Sequence, residues 1–472
     1  MGDMFMKQRN VVTRQSVLGL KTTRRTFIKQ AALAGAVGPF IHSHPARGEN
    51  GRKLRHACIG VGGQRGGVDM TSIDNHPDVE VVALCDVDRV FLEHAARRHP
   101  NARLYRDWRE LLEKEADNID SVNIATTNHT HAPIAMTALR LDKHVYCQKP
   151  LTHSIHESRM LAEEAARRPH LVTQMGVQTH SAAAYRTAVA MIQYGIIGKV
   201  KEAHSWDRIR FHYTGAFMDP PMERRPLEGD PVPENLDWDL WLAVAPERAY
   251  KDELYHVRMW RRWHDFGGGA HGDMAGHMMD VVFTALELTA PESIMSHRSP
   301  PFEDTYSPNN LVEHRFPATP FTDGPLDYFW HDTTEIDTEG WPVAEADLPG
   351  NGSMLFGERG VIFLPHGGQP QVFPAGELDD VIASFNEQVG PQEELDHYHQ
   401  FVDACLGRDT PTTPFSYSGN MTETVLMGNI ANRFPMERLD WNASGMEFTN
   451  KPEANQYLRR AYRDGWKIEG LG

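Results

Sequence analysis

The chain has 472 residues, long enough for two domains, and its 40% hydrophobic content supplies ordinary buried cores. Lysine and arginine number 48 against 64 aspartates and glutamates, and the resulting net charge of -16, with no basic stripe to offset it, argues against a nucleic-acid partner. The four cysteines show no paired spacing of a disulfide framework or zinc site: Cys58, Cys85 and Cys147 fall in or at the ends of predicted core strands as small apolar fillers, and Cys405 on a late helix.

At the front, Thr23-Arg24-Arg25-Thr26-Phe27-Ile28-Lys29 precedes an apolar run over residues 31–41, too short to span a bilayer as a permanent helix. The arginine pair, the Phe two residues on and the apolar run read as a twin-arginine export signal over residues 1–47. The mature protein is then expected in the periplasm, with no stable membrane anchor.

From there, strands alternate with helices. Strands are expected over 54–60, 79–84, 121–125, 144–147 and 171–175, with helices over 108–114, 132–141 and 154–168. That rhythm predicts a parallel, doubly wound α/β sheet, a Rossmann domain over 48–175. The first strand runs into Gly60-Val61-Gly62-Gly63-Gln64-Arg65-Gly66, and Asp86 follows the second. Glycines let the backbone approach a pyrophosphate, a helix N-terminus offers free N–H groups, and an acid at the next strand's end accepts from ribose hydroxyls. The third glycine stands one residue late. Asp86 disfavours a ribose 2′-phosphate, so NAD is expected, with Arg65 leaving NADP as the alternative.

Residues 176–472 read as a second, α+β domain on a largely antiparallel, open-faced sheet. It opens with a helix ending at Tyr194-Gly195 and a strand over 201–210, followed by a Pro-rich insertion over 220–233, with later strands over 353–356 and 360–364. The irregular stretches between 215 and 270 are expected to build the site. With helices on one sheet face only, the other face needs a cover, and a homo-oligomer (dimer or tetramer) is expected.

Three groups carry chemistry. Tyr146-Cys147-Gln148-Lys149-Pro150 puts Lys149 at the carboxyl end of a parallel strand, where ligands of such folds sit. In Gly267-Gly268-Gly269-Ala270-His271-Gly272-Asp273-Met274-Ala275-Gly276-His277, Asp273 and His277 stand four apart, on one helix face. Oxidising a secondary alcohol needs a base for the hydroxyl proton: His277 suits that role, Asp273 would support its imidazolium, and Lys149 would donate to the substrate oxygen. In Trp260-Arg261-Arg262-Trp263-His264, Arg261, Trp263 and His264 are expected to form a sugar-binding wall. His256, His264, His271 and His277 match no compact ligand spacing, so no metal is expected.

The glycine turn, the Lys-Pro motif and the Asp-x-x-x-His helix, in that order, resemble the glucose-fructose oxidoreductase / inositol dehydrogenase / rhizopine catabolism (Gfo/Idh/MocA) family. The likeness extends to Tyr105-Arg106-Asp107-Trp108, Thr130-His131-Ala132, Gly195-Ile196-Ile197-Gly198-Lys199-Val200 and Leu236-Asp237-Trp238, while the tail segment Thr422-Glu423-Thr424-Val425-Leu426-Met427 is similar to the family's exported branch. The resemblance implies Lys149, Asp273 and His277 as the catalytic set. It places Gly60, Gly62, Gly63, Gln64, Arg65, Asp86, Thr126, Asn128, His131, Gln148, Lys149 and Gln178 at the cofactor. One departure stands out: the family carries Glu-Lys-Pro where this chain has Gln148-Lys149-Pro150. The activity expected is exported oxidation of a sugar, polyol or glycoside with tightly held cofactor. Two alternatives are an NAD-dependent glycosidase acting by transient C3 oxidation, elimination and hydration, and a non-enzymatic sugar-binding protein retaining the fold.

Overall fold

The computed structural model describes residues 53–209, 223–298, 300–307, 309–332 and 335–472. The export signal lies outside the described residues. Strands β1 (Leu54–Ile59), β2 (Val79–Cys85), β3 (Arg103–Tyr105), β4 (Ser121–Ile124), β5 (His144–Gln148) and β6 (Thr173–Gly176) form a six-stranded parallel sheet in the order β3-β2-β1-β4-β5-β6. The central strand β4 is buried at every residue, as both faces of such a sheet are covered. The order reverses between β1 and β4, which opens a crevice outside their carboxyl ends.

The connecting helices are α1 (Gly63–Asp74), α2 (Arg89–Ala96), α3 (Trp108–Glu115), α4 (Asn128–Arg140) and α5 (Ile155–Ala166). Local chemistry sets several of their starts. Asp88 and Asp107 accept from the backbone N–H groups of Val90 and Arg109, and Ser154 with Glu157 forms a reciprocal capping box. Helix α1 has no side-chain cap, which leaves its first turn open to a ligand.

After a 3-10 turn at Gln178–Ser181, α6 (Ala183–Tyr194) stops at Gly195 in the left-handed conformation, φ 85°. The second domain then adds β7 (Val200–Asp207), α7 (Trp238–Leu242), α8 (Gly269–Ala285), β8 (Ser293–Ser296), β9 (Asn310–Phe316), β10 (Thr322–Asp332), β11 (Asn351–Gly357), β12 (Val361–Pro365) and β13 (Gln371–Phe373). It ends with α9 (Asp379–Gln388), α10 (His397–Cys405), α11 (Phe415–Ala431), β14 (Arg438–Asn442) and β15 (Glu447–Phe448). Its nine-stranded sheet runs β13-β12-β11-β7-β10-β9-β8-β14-β15, antiparallel except for the β7–β10 pair.

Two features depart from the sequence expectation. The sheet face away from α8 is partly covered by the chain itself: Ile336, Trp341, Val343 and Leu348 pack on Trp206, Met354 and Phe363. The domain division near 175 is also incomplete, because α10 returns to the first domain. Its Tyr398, Phe401 and Val402 pack with Cys58, Met70 and Leu84. All four cysteines are buried and free. Among the described residues no helix is long and apolar enough to cross a membrane.

Candidate active site

The glycine turn is built around two close approaches. Gly60 sits at φ 81°, and a Cβ on Gly66 would lie 2.3 Å from the Gly60 carbonyl oxygen. The late glycine is therefore the contact between α1 and the end of β1, one residue along because α1 begins at Gly63. Asp86 closes the other side: its Oδ2 accepts from Val61 N at 3.0 Å and Gly62 N at 2.9 Å, and its Oδ1 from Asp88 N at 2.9 Å. Burial pushes the Asp86 carboxyl up, and these N–H groups oppose the shift. Asp86, expected to accept from ribose hydroxyls, thus also braces the turn.

These groups open onto a cavity of about 370 Å³ at the switch point. Gly60, Gly62, Gly63, Arg65, Asp86, Thr126, Asn128, His131, Gln148, Lys149 and Gln178 all line it, as do Arg261, Asp273 and His277 from the second domain. Gln64 lies in the first turn of α1, and the position of its side chain is outside the described structure. His131 reaches the cavity with both ring nitrogens facing carbonyl oxygens, Nδ1 to Pro150 at 2.8 Å and Nε2 to Thr126 at 3.2 Å. Burial lowers its pKa to about 4, and the neutral ring carries one N–H, so it donates to only one of these two carbonyls.

Asp273 and His277 share a helix face, yet they do not pair. Lys149 Nζ donates to the Asp273 backbone oxygen at 2.5 Å and to its Oδ1 at 2.9 Å, and Arg261 Nε donates to the same Oδ1 at 3.2 Å. The Lys149 and Arg261 cations hold the Asp273 carboxyl far below the usual carboxylate range despite burial. Asp273 reaches His277 through its charge, which favours the imidazolium, while its hydrogen bonds serve the lysine. An ammonium has three donors, and two are used here, leaving one for the cavity. Burial lowers the Lys149 pKa, with Asp273 opposing. His277 is buried, its Nδ1 has no hydrogen-bond partner among the described residues, and burial together with the Lys149 cation keeps the ring neutral.

His366, in the loop after β12, completes the site; its ring lies 5.7 Å from that of His277. Its backbone N donates to Asn351 O at 3.0 Å, and Asn351 Nδ2 donates to Asp207 Oδ1 at 2.6 Å, which pins the loop to the end of β7. Sequence reading missed His366, which belongs to no motif.

The wall beside these groups is Trp260 and Arg261, with the guanidinium 4.2 Å from the indole centroid. Trp263 and His264 do not line the cavity. Trp263 is fully buried against Tyr255 and donates through Nε1 to Leu254 O at 2.8 Å, while His264 packs edge-on to Tyr306. The four histidines of this segment diverge as well: His256 meets Asp88 at 3.1 Å and His271 stacks on Trp330. Among the described residues no group of three or more His, Cys, Asp or Glu could hold a metal.

The model for the oxidoreductase family's NAD-binding Rossmann fold matches residues 54–176, and that for its C-terminal alpha/beta domain matches residues 208–304. The chain belongs to the Gfo/Idh/MocA oxidoreductase family. This Gfo/Idh/MocA protein is 26% identical over 203 residues to a levoglucosan dehydrogenase of Pseudarthrobacter phenanthrenivorans, over 43% of this chain and 42% of that relative. It is 32% identical over 190 residues to a glycosyl hydrolase family 109 protein of Stenotrophomonas maltophilia, over 38% of this chain and 40% of the relative. The chain therefore matches about two fifths of the length of these curated relatives. The WlbA dehydrogenase of Chromobacterium violaceum, solved with NADH and UDP-GlcNAcA, superposes with TM-score 0.57 at 16% identity over 84% of this chain and 97% of that one, which shows the shared fold.

The cofactor of this Gfo/Idh/MocA domain is NAD, and the residues present fit it. The α1 N-terminus is uncapped, and Asn128 Nδ2 is buried at the cavity with no partner among the described residues, a donor that requires an acceptor from a ligand.

Proposed function

We propose that the protein oxidises a secondary hydroxyl of a sugar, polyol or glycoside, using tightly held NAD, after export by the twin-arginine route. The observation that carries this reading is the pairing of two unlike groups in one cavity: Lys149, a buried ammonium with one donor free, and His277, a buried neutral imidazole. NAD, when bound, accepts the hydride of the carbinol carbon. His277 takes the hydroxyl proton, Lys149 holds the substrate oxygen as charge develops, and Asp273 with Arg261 fixes the ammonium. Trp260 lines the cavity with the Arg261 guanidinium over its ring, an apolar contact for carbohydrate C–H groups. The levoglucosan dehydrogenase and the UDP-GlcNAcA-bound WlbA are relatives or neighbours whose names fit this substrate class.

A glycosidase working through transient C3 oxidation is the second reading. It is favoured by His366, a further imidazole 5.7 Å from His277 that is placed to assist a leaving group, and by the family 109 relative. Mass spectrometry of the purified protein, intact and then denatured, tests the cofactor: NAD is expected to come away, and release of NADP alone would overturn that. Incubation with a panel of glycosides separates the activities, a ketone product supporting the oxidoreductase and free aglycone the glycosidase.

A further inference from the structure

The departure at Gln148 has a counterpart elsewhere in the fold. Asp69, on α1 and fully buried, lies beside the Gln148 amide: Gln148 Nε2 donates to Asp69 Oδ2 at 2.7 Å. Tyr398, on the returning helix α10, donates its hydroxyl to Asp69 Oδ1 at 2.7 Å. An ionised carboxylate only accepts, so the amide nitrogen of Gln148 must face Asp69, and its Oε1 must point the other way. Gly176 packs against the amide nitrogen, where a Cβ would lie 2.6 Å from Gln148 Nε2. Gln148 lines the dinucleotide cavity next to Lys149.

We propose that Asp69 is a positioning residue that supplies, from the glycine-turn helix, the carboxylate absent from Gln148-Lys149-Pro150, and so fixes the Gln148 carbonyl as an acceptor for a ribose hydroxyl of bound NAD. This rests on the cavity being the NAD site. The arrangement links the cofactor to four elements, α1, β5, β6 and α10. The same negative charge that sits directly on the strand in Glu-Lys-Pro sits here one hydrogen bond away. Burial pushes the Asp69 carboxyl up to about 6, and the bonds from Tyr398 and Gln148 hold it down. The other titratable groups around it are Arg65 on its own helix, Cys58 on β1, Tyr146 and Cys147 on β5, and Tyr398 on α10. Asp69, bonded directly to the Gln148 amide, is therefore a group whose charge changes a little below neutrality.

The test is a charge swap read by NADH binding, followed by nucleotide fluorescence after removal of any copurified cofactor. Gln148→Glu sets two carboxylates against each other. Binding is expected to weaken about tenfold or more near pH 8.5 and to recover toward about pH 6, where the pair holds a proton. Wild type should gain no affinity toward pH 6. In the double variant Asp69→Asn with Gln148→Glu, the amide introduced on α1 donates to the carboxylate introduced on β5 and accepts from Tyr398, so affinity should return to within about threefold of wild type, without the slope. Equal binding by Gln148→Glu and wild type at every pH, or a double variant no better than the single one, overturns the proposal. Where Gln148→Glu alone is insoluble, the double variant must fold and bind, and its failure is likewise decisive against the relay. Wild type that binds no NADH overturns the nucleotide site instead, a separate result.

Discussion

Lys149 and His277 owe their chemistry to burial, and each is tuned by a different neighbour. Lys149→Ala and His277→Ala are each expected to lower turnover about a hundredfold or more with bound NAD retained, as for acid–base partners; single-turnover reduction of the nicotinamide with sugar measures it. Asp273→Asn is expected to shift the pH profile. Burial lowers the Lys149 pKa and the Asp273 carboxylate raises it, so Asp273→Asn removes the opposing effect and the pKa falls further. Lysine acts as a donor only while protonated, and activity is lost as pH rises through its pKa. The alkaline limb of kcat against pH in Asp273→Asn should therefore move down by about one unit or more. A limb that stays in place would show that the carboxylate does not tune the lysine. The spacing of Asp273 and His277 placed both residues correctly on one helix face, but their neighbours come from the residue after β5 and from the loop after β12, which no helical spacing encodes.

At the scale of elements, the glycine turn and most strands and helices were legible because each is written in a short window, in alternating apolar runs and a glycine at a helix end, whereas α2, capped by Asp88, and the short β3 were not expected. The irregular segment before α8 was not legible in the same way. It has no period to say which side chain turns inward, and Trp260 and Trp263 are equal candidates in sequence. In the structure both join Trp241, Tyr255 and Phe266 in one aromatic core, but of the two only Trp260 also meets the cavity. Trp263→Ala should then cost about 3–5 kcal/mol of stability. Its thermal midpoint should fall while KM for the sugar, measured well below that midpoint, stays near wild type. A raised KM at undiminished stability would return Trp263 to the substrate wall.

For the whole molecule, two expectations concern assembly and address. Replacing Arg24→Lys with Arg25→Lys should trap the protein in the cytoplasm, because the twin-arginine route reads the arginine pair and not merely positive charge; fractionation of cells expressing both forms measures it, and normal export of the variant refutes the signal. A homo-oligomer is still proposed, on changed grounds. Trp341 and its neighbours already cover Trp206 and Phe363, so the sheet area left for a partner is the part over β9 and β10, where Arg315 and Asp327 pair at 2.6 Å and His297 meets Glu313 at 2.8 Å. Sedimentation at micromolar concentration decides it, and a monomer would mean that the 335–349 segment suffices as cover. By itself the sequence determined the doubly wound half, the NAD turn and the positions of Lys149, Asp273 and His277, because periodicity and glycine requirements act over a few residues. Only the tertiary structure decided who pairs with whom. The Lys149–Asp273 bond spans 124 residues of chain and the Tyr398–Asp69 bond 329, and such contacts arise from packing two domains together, which leaves no local pattern to read.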